Sequence, residues 1–433
     1  MGGKASILMV LGFSLIFLVA GTNFNRMSSN TIDNFKEYYF DTRAYNVAES
    51  GANMAASEIF ADRDWDTGFS NLPFDGGIIN ATVESVPGSI DDRIITVTGT
   101  YQGASHTIRI KLTPSSFSSY AYFSLNDHGI YWATGDTVWG KMHIEGVLNI
   151  NGDPVFKGYV TMTNGIHYGD SGHYETQYYY DSRGRLRSRT VWVTNSNPQF
   201  LGGLEDGVTD TMPSNGVSLL KAAAASGGHI FPKHDTVFIN FQADSIKYRY
   251  HANDKDSTAY APDFAPNGVI FADSSVLHLK GTIKGQYTIS VSGKSSLGKG
   301  KVFLDDNVVY NTDPKTNMNS TDLLGIVAEN NVLIKDNPEN HSDIDIYASI
   351  YSQKGGFGAE NYNSLPISGN INLYGGIIQA ERQAVGTIGS DYWGHTYISH
   401  GFNKRYRFDP RFAVLSPPHF PGTGKYQIVS WHE

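Results

Sequence analysis

"GKASILMVLGFSLIFLVAG", residues 3–21, carries one charge, at Lys4, and none after it. The uncharged run extends from Ala5 to Asn25 and is closed by Arg26. Wound as a helix, these about 21 residues would span the hydrocarbon core of a bilayer. Three readings fit such a run: a signal peptide that is removed, a membrane anchor that stays, or the apolar end of a subunit that polymerises. A minimally charged leader and a weak cleavage site in "LVAGTNF" count against the signal peptide.

The continuation decides between them. "NTIDNFKEYYFDTRAYNVAESGANMAASEIF", residues 30–60, keeps a helical period, with Ile32, Phe35, Tyr39, Ala44, Val47, Ala48, Ala52, Ala55 and Ile59 at three- and four-residue steps. No proline interrupts the chain before Pro73. A continuous rod from Ala5 to about Phe60 would be roughly 80–85 Å long at 1.5 Å per residue. A cleaved signal has no need of a stiff helix behind it. The rod's second half is dense in small residues (Ala44, Ala48, Ser50, Gly51, Ala52, Ala55, Ala56 and Ser57). Small residues admit another backbone closely, so this face suits a sheet or a neighbouring helix; an ordinary amphipathic core helix is the plain alternative.

From Asp62 the period changes to two. Ile78–Val86, Arg93–Tyr101 and His106–Leu112 alternate apolar and polar residues between Gly, Pro and Asp, and predict a small antiparallel sheet covered by the small-residue face of the helix. The rest is a series of short alternating strands. Glycines recur every six residues at Gly140, Gly146, Gly152 and Gly158, and later runs such as "KVFLDDNVVY" and "DIDIYASIYS" end in Gly, Asn or Asp. Such periodicity predicts a β-solenoid, with a β-sandwich as the alternative. "HYETQYYYDSRGRLRSRTVWV" reads as a projecting hairpin around Ser182–Gly184, and Gly216–Ser226 as one short helix. The Pro- and aromatic-rich end is too apolar to hang free and is expected to lie back along the solenoid.

Composition agrees with an extracellular, strand-rich protein: 17% of the 433 residues are charged, 13% are aromatic, and there are 46 glycines. A formal net charge of −9 disfavours nucleic acid as a main partner. The absence of cysteine excludes disulfides and thiolate metal sites.

Motifs with chemical content are few. "GKSSLGKG" at Gly293–Gly300 approaches a phosphate-binding loop but has Gly300 where Ser or Thr must follow the lysine. "GDSGH" at Gly169–His173 echoes a serine-protease nucleophile with no triad context for its partners. Asp305–Asp306 and the pair Asp343 and Asp345 are the candidate carboxylates; the latter, two apart on a strand, share a face within reach of a cation, or serve as acid and base. The plain reading is that such residues end strands and cap turns. No zinc-type His spacing occurs, and no cofactor is expected.

The uncharged stretch followed by "RAYNVAESGANMAASEIF" resembles the N-terminal helix of PilX-like type IV pilins, through Ala44, Ala48, Glu49, Gly51 and Ala52. "LLGIVAENNVLIKDN", "GGFGAENYN" and "INLYGGIIQAERQAVGT" are similar to a domain of unassigned activity found behind such stalks in large bacterial pilin-like proteins. The resemblance implies a subunit inserted in the bacterial inner membrane, clipped by prepilin peptidase between Gly3 and Lys4 or after Gly2, N-methylated, and extracted by the assembly machinery into an extracellular fibre of identical subunits or other pilins. It also shows a departure: counted from Lys4, the fifth position is Leu8, where most major pilins have Glu.

The expected class is α+β: a long pilin-type helix on a small antiparallel sheet, then a large β-solenoid or β-helix-like domain. Residues 1–4 are a short leader, 5–61 the stalk helix (apolar half 5–25), 62–114 the sheet, 115–400 the outer domain with a hairpin near 174–193 and a helix near 216–226, and 401–433 a docked tail. The function expected is that of a structural filament subunit, not an enzyme, with adhesion as its purpose. Its packing residues are Ile7, Leu8, Val10, Leu11, Phe13, Leu15, Ile16, Phe17 and Leu18, with Ala48, Ala52 and Ala55. The alternatives are a secreted β-helix that binds or cleaves polysaccharide, and a membrane-anchored adhesin that never polymerises.

Overall fold

The computed structural model describes residues 2–62, 64–86, 92–390 and 396–433, in two compact units: Met1–Ser115 with Gly424–Glu433, and Ser116–Thr423. The first is a helix and a sheet. Helix α1 runs Gly2–Ala61, about 90 Å at 1.5 Å per residue, and is followed by β1 (Phe69–Phe74), β2 (Gly77–Ser85), β3 (Arg93–Tyr101) and β4 (Ala104–Ser116). Two-residue turns join β1 to β2 and β3 to β4. Both central residues of each are left-handed (Asp75 and Gly76 at φ 47° and 78°, Gln102 and Gly103 at 49° and 91°), the hairpin geometry that matches strand twist. The inward residues of β2–β4, among them Ile79, Ile95, Val97, Ile108, Ile110 and Leu112, close over Ala48, Ala52, Ala55 and Ile59 of α1.

Two strands of this sheet escape the sequence reading. β1 contains Pro73, which a sheet tolerates because β1 is an edge strand. The other is a correction to the docked tail: Gly422–His432 lies beside β4 as the fifth strand, in the order β1-β2-β3-β4 and then itself. Its Tyr426 joins the helix–sheet core, and the Tyr45 hydroxyl donates to Glu433 at 2.9 Å. The remainder of residues 401–433 does stay with the second unit, where Phe420 packs against α2 (Gly216–Ala225).

The second unit is β-rich and its pairings are overwhelmingly parallel. One in-register column passes through Ile270, Ile289, Ile326, Ile350, Ile377, Tyr122, Met142 and Val160, all buried. His229 stands at one end of this column and Leu204 at the other. Nine steps of about 4.8 Å make the ladder roughly 43 Å long. A second set of parallel pairings runs through Val308, Ile346, Leu373, Tyr406, Val138, Phe156 and Phe200. The outer side of the first ladder, at Phe271, Val327, Tyr351, Ile378 and Phe123, is covered by Val217, Leu220, Ala223 and Ala224 of α2.

The stacking order is not the chain order. Residues 122–206 stack beyond residues 344–407, so the last-made ladder strands pair with the first-made ones. Two buried ion pairs lie at this seam: Arg382 with Asp127 at 2.8 Å, and Lys404 with Asp136 at 2.5 Å. Trp132 lies between them, its ring 4.3 Å from the Arg382 guanidinium carbon and 5.5 Å from the Lys404 ammonium. Burial pulls the Lys404 pKa down, against the opposing pull of Asp136.

Candidate functional site

The large side chains of the apolar half of α1 are exposed. Ile7, Leu8, Val10, Leu11, Phe13, Leu15, Ile16, Phe17 and Leu18 are each between 54 and 74% exposed. Fully burying a side chain of this size contributes about 1.5–3 kcal/mol, so the nine together offer on the order of 10–25 kcal/mol to whatever covers them. The hydroxyls inside the run are satisfied by the helix itself: Ser14 donates to the Val10 carbonyl at 2.8 Å and Thr22 to the Val19 carbonyl at 2.9 Å. The stretch therefore presents a surface fit for a dry environment. Among the described residues this is one helix long and apolar enough to cross a membrane. The side chains of the expected processing residues Gly3 and Lys4 lie outside the described residues.

Ala48, Ala52 and Ala55 need correction as filament-packing residues. All three are fully buried against the sheet of their own unit, and a covered face is closed to a neighbour. The small side chains serve close approach. A Cβ at Gly99 of β3 would lie 2.3 Å from the Ala48 nitrogen and 2.6 Å from the Ala44 carbonyl oxygen. A Cβ at Gly51 would lie 2.6 Å from Ile79 Cγ2.

Three of the candidate carboxylates, those of Asp343, Asp305 and Asp306, are held in local polar contacts, and Asp345 is tied by its backbone. Asp343 accepts from the Asn370 backbone N–H at 2.8 Å and from its side-chain amide at 3.1 and 3.2 Å. Burial pushes the Asp343 carboxyl up, but these donors outweigh it and leave it below the usual carboxylate range. The Asp345 N–H donates to the Asn307 side chain at 2.7 Å. Asp305 is 2.7 Å from His278 Nδ1, and Asp306 accepts from the Asn307 N–H at 2.7 Å. Among the described residues, no group of three His, Asp or Glu side chains is gathered as a metal would require.

The two motif echoes are likewise used up internally. In Gly293–Gly300 the first amide donates to the carboxylate of Glu329 at 2.8 Å, and Lys299 pairs with Asp235 at 2.7 Å. An acceptor already occupies the place a phosphate would need. In "GDSGH", His173 faces Asn195 at 2.8 Å and Glu175 at 3.0 Å rather than a serine. Asp170 accepts from Gly172, Thr194, Asn195 and Ser196, a knot at the foot of the hairpin His173–Tyr180 and Leu186–Val193. Burial raises the Asp170 pKa, and this ring of donors more than reverses it, holding the carboxyl well below its ordinary range.

That hairpin is the second exposed surface. Its strands pair only with each other among the described residues, and one face holds Tyr174, Tyr178, Tyr180 and, across the ladder, Trp192 and Leu186. Sequence reading placed the hairpin, and the gathering of these rings on one face follows from the register of the pair. The seam charges Asp127, Asp136, Arg382 and Lys404 had no local signal, since the partner of each lies more than 250 residues away.

No family model matches the chain, and no curated protein matches it. Among solved structures it is similar to the competence-associated pilin ComZ from Thermus thermophilus, at 11% identity and a TM-score of 0.36, with 91% of this chain and 97% of that one covered.

Proposed function

We propose that the chain is a structural subunit of a type IV pilus-like extracellular filament, a PilX-like pilin rather than an enzyme. In this reading residues 5–25 hold the chain in the bacterial inner membrane, prepilin peptidase clips after Gly3 or Gly2, and the same helix then packs against identical subunits or other pilins. The β-rich unit is carried at the filament surface for adhesion, and its parallel ladders are those of a β-solenoid. A sandwich would call for antiparallel pairs instead.

The observation that carries the reading is the exposed apolar half of α1, continuous with a half that is locked to a sheet. A surface of that size needs lipid or other helices around it; left in water it would drive aggregation. With Leu8 where most major pilins have Glu, the bundle is held by side-chain packing. The carboxylates of Asp305 and Asp343 are already engaged in polar contacts within the fold, which supports a structural role.

The test is mass spectrometry of the mature N-terminus on protein sheared from the cell surface. The expected product starts near Lys4, N-methylated, with Ala5–Asn25 intact, and comes from filaments visible by electron microscopy. A chain beginning after Ala20 would mean an ordinary signal peptide and end the filament reading.

A further inference from the structure

We infer that the hairpin His173–Tyr180 and Leu186–Val193 is a carbohydrate-binding ribbon that takes a neutral glycan chain on one face. The register sets Tyr174 opposite Trp192, Thr176 opposite Thr190, Tyr178 opposite Ser188, and Tyr180 opposite Leu186. Cross-strand partners project to the same side, so these eight residues form a single face. It holds four aromatic rings, three hydroxyl side chains and one leucine, and no carboxylate, ammonium or guanidinium. Tyr174, Tyr178 and Tyr180 are 75, 69 and 73% exposed.

The charges are sorted to the other face. Glu175, Arg187 and Arg189 lie there with Gln177 and Tyr179. They are matched locally: Arg189 donates to Gln177 at 3.2 Å and stands over the Tyr179 ring, and Arg187 donates to Asp181 at 3.2 Å. A polyanion would be met by guanidinium groups among the rings, and here there are none on the aromatic side. Protein interfaces are also rich in Tyr and Trp, so a second protein on this face is an outcome that the titration and sedimentation below separate from a glycan. Flat rings bordered by hydroxyls match a ligand with apolar C–H faces and hydroxyl edges, and that is a pyranose chain.

The ribbon is also held ready. The Asp170 knot fixes both strands at the foot, and the Trp192 indole N–H donates to the Ser171 carbonyl at 3.3 Å. A binding face held in one geometry loses little entropy on association. From Tyr174 to Tyr180 the platform is roughly 20 Å long at 3.4 Å per residue, room for several sugar rings.

The proposal stands apart from polymerisation, since it holds for an anchored chain as well as for a filament. The experiment is calorimetric titration of the full chain in detergent with cellohexaose and, separately, with a hexauronate of similar length. The expected result is binding of the neutral hexasaccharide, unchanged between 50 and 500 mM salt, weakened at least tenfold by Tyr178→Ala with Tyr180→Ala and by Ser188→Glu, and unaffected by Arg187→Ala with Arg189→Ala. Binding of neither sugar, preference for the hexauronate with loss in the arginine variant, or equal affinity in the tyrosine variant would each overturn it. So would sedimentation showing that the tyrosines hold two copies together in the absence of sugar.

Discussion

Replacing Asp136 by Asn tests whether the seam of the second unit is dry. The substitution is nearly isosteric and keeps an acceptor for the Ala133 N–H, which Asp136 now accepts at 2.9 Å. What it removes is the counter-charge of Lys404, a side chain 9% exposed against a carboxylate 1% exposed. Stranding one member of a buried pair costs about 3–5 kcal/mol, because the remaining charge has lost its water and its partner. At 2–4 °C per kcal/mol this lowers the melting midpoint by roughly 6–20 °C. The loss carries a pH signature. Burial already holds Lys404 below its ordinary value, and removing Asp136 takes away the main opposing pull, so the folded pKa falls further. A lysine depressed in the folded state destabilises while the unfolded chain keeps its proton. Stability of the variant therefore rises with pH between the folded value and about 10.4, the unfolded one. The assay is thermal unfolding of the full chain in detergent, followed by near-ultraviolet circular dichroism, which reports Trp132 in contact with the pair. Asp136→Leu combined with Lys404→Met should recover most of the loss, since an apolar pair of similar volume leaves no charge behind. A drop below 1 kcal/mol, or a deficit flat in pH, would show that water reaches the pair and refute the argument.

Gly99→Ala places a methyl group against the backbone of α1 at Ala48 and should destabilise the first unit by about 1–3 kcal/mol, read as faster amide exchange in residues 44–61. Leu15→Lys sets a charge in the middle of the apolar run at a cost of about 2.5–3.5 kcal/mol in lipid, and should cut the membrane-bound or filament-bound fraction about a hundredfold while the β-rich unit keeps its circular dichroism. Asp170 has a carboxyl pKa depressed in the folded state, so the stability it lends is complete above about pH 4 and is lost as pH falls below that toward the depressed value. Amide exchange at Gly172, Asn195 and Ser196 should accelerate across that range, and Asp170→Asn should show the fast exchange at neutral pH.

The long helix was legible because its small residues recur at helical steps, and β2 to β4 because their inward residues alternate. Whether Ala48, Ala52 and Ala55 face a sheet or a second subunit was not legible, since both demand the same small side chains. Gly99 settles it from the partner's side, where a Cβ has no room. The final strand was read as a docked tail because its Pro-rich approach hides the alternation, and its partner β4 lies more than 300 residues upstream. The permuted stacking was out of reach for a physical reason: each parallel strand has the same pattern of buried Ile, Val or Leu, so any one could follow any other. Asp343 and Asp345 showed a spacing that a cation site would have, but Asp343 takes its donors from Asn370 on a neighbouring ladder strand, and Asp345 is tied by its own N–H to the Asn307 side chain on another. The foot of the hairpin carried a short motif whose aspartate anchors the two strands.

The placement of Gly422–His432 beside β4 has a consequence in time. Between these neighbours the ribosome makes all of Ser116–Thr423, which at 5–20 residues per second takes roughly 15 to 60 seconds. Throughout that interval α1 and β1–β4 exist with one flank of β4 open and Tyr426 missing from their core. An open strand flank is a template for any other extended chain. The half-minute before the fifth strand arrives is thus the period in which the nascent chain is most exposed to mispairing, and in which a chaperone has its opportunity to hold it.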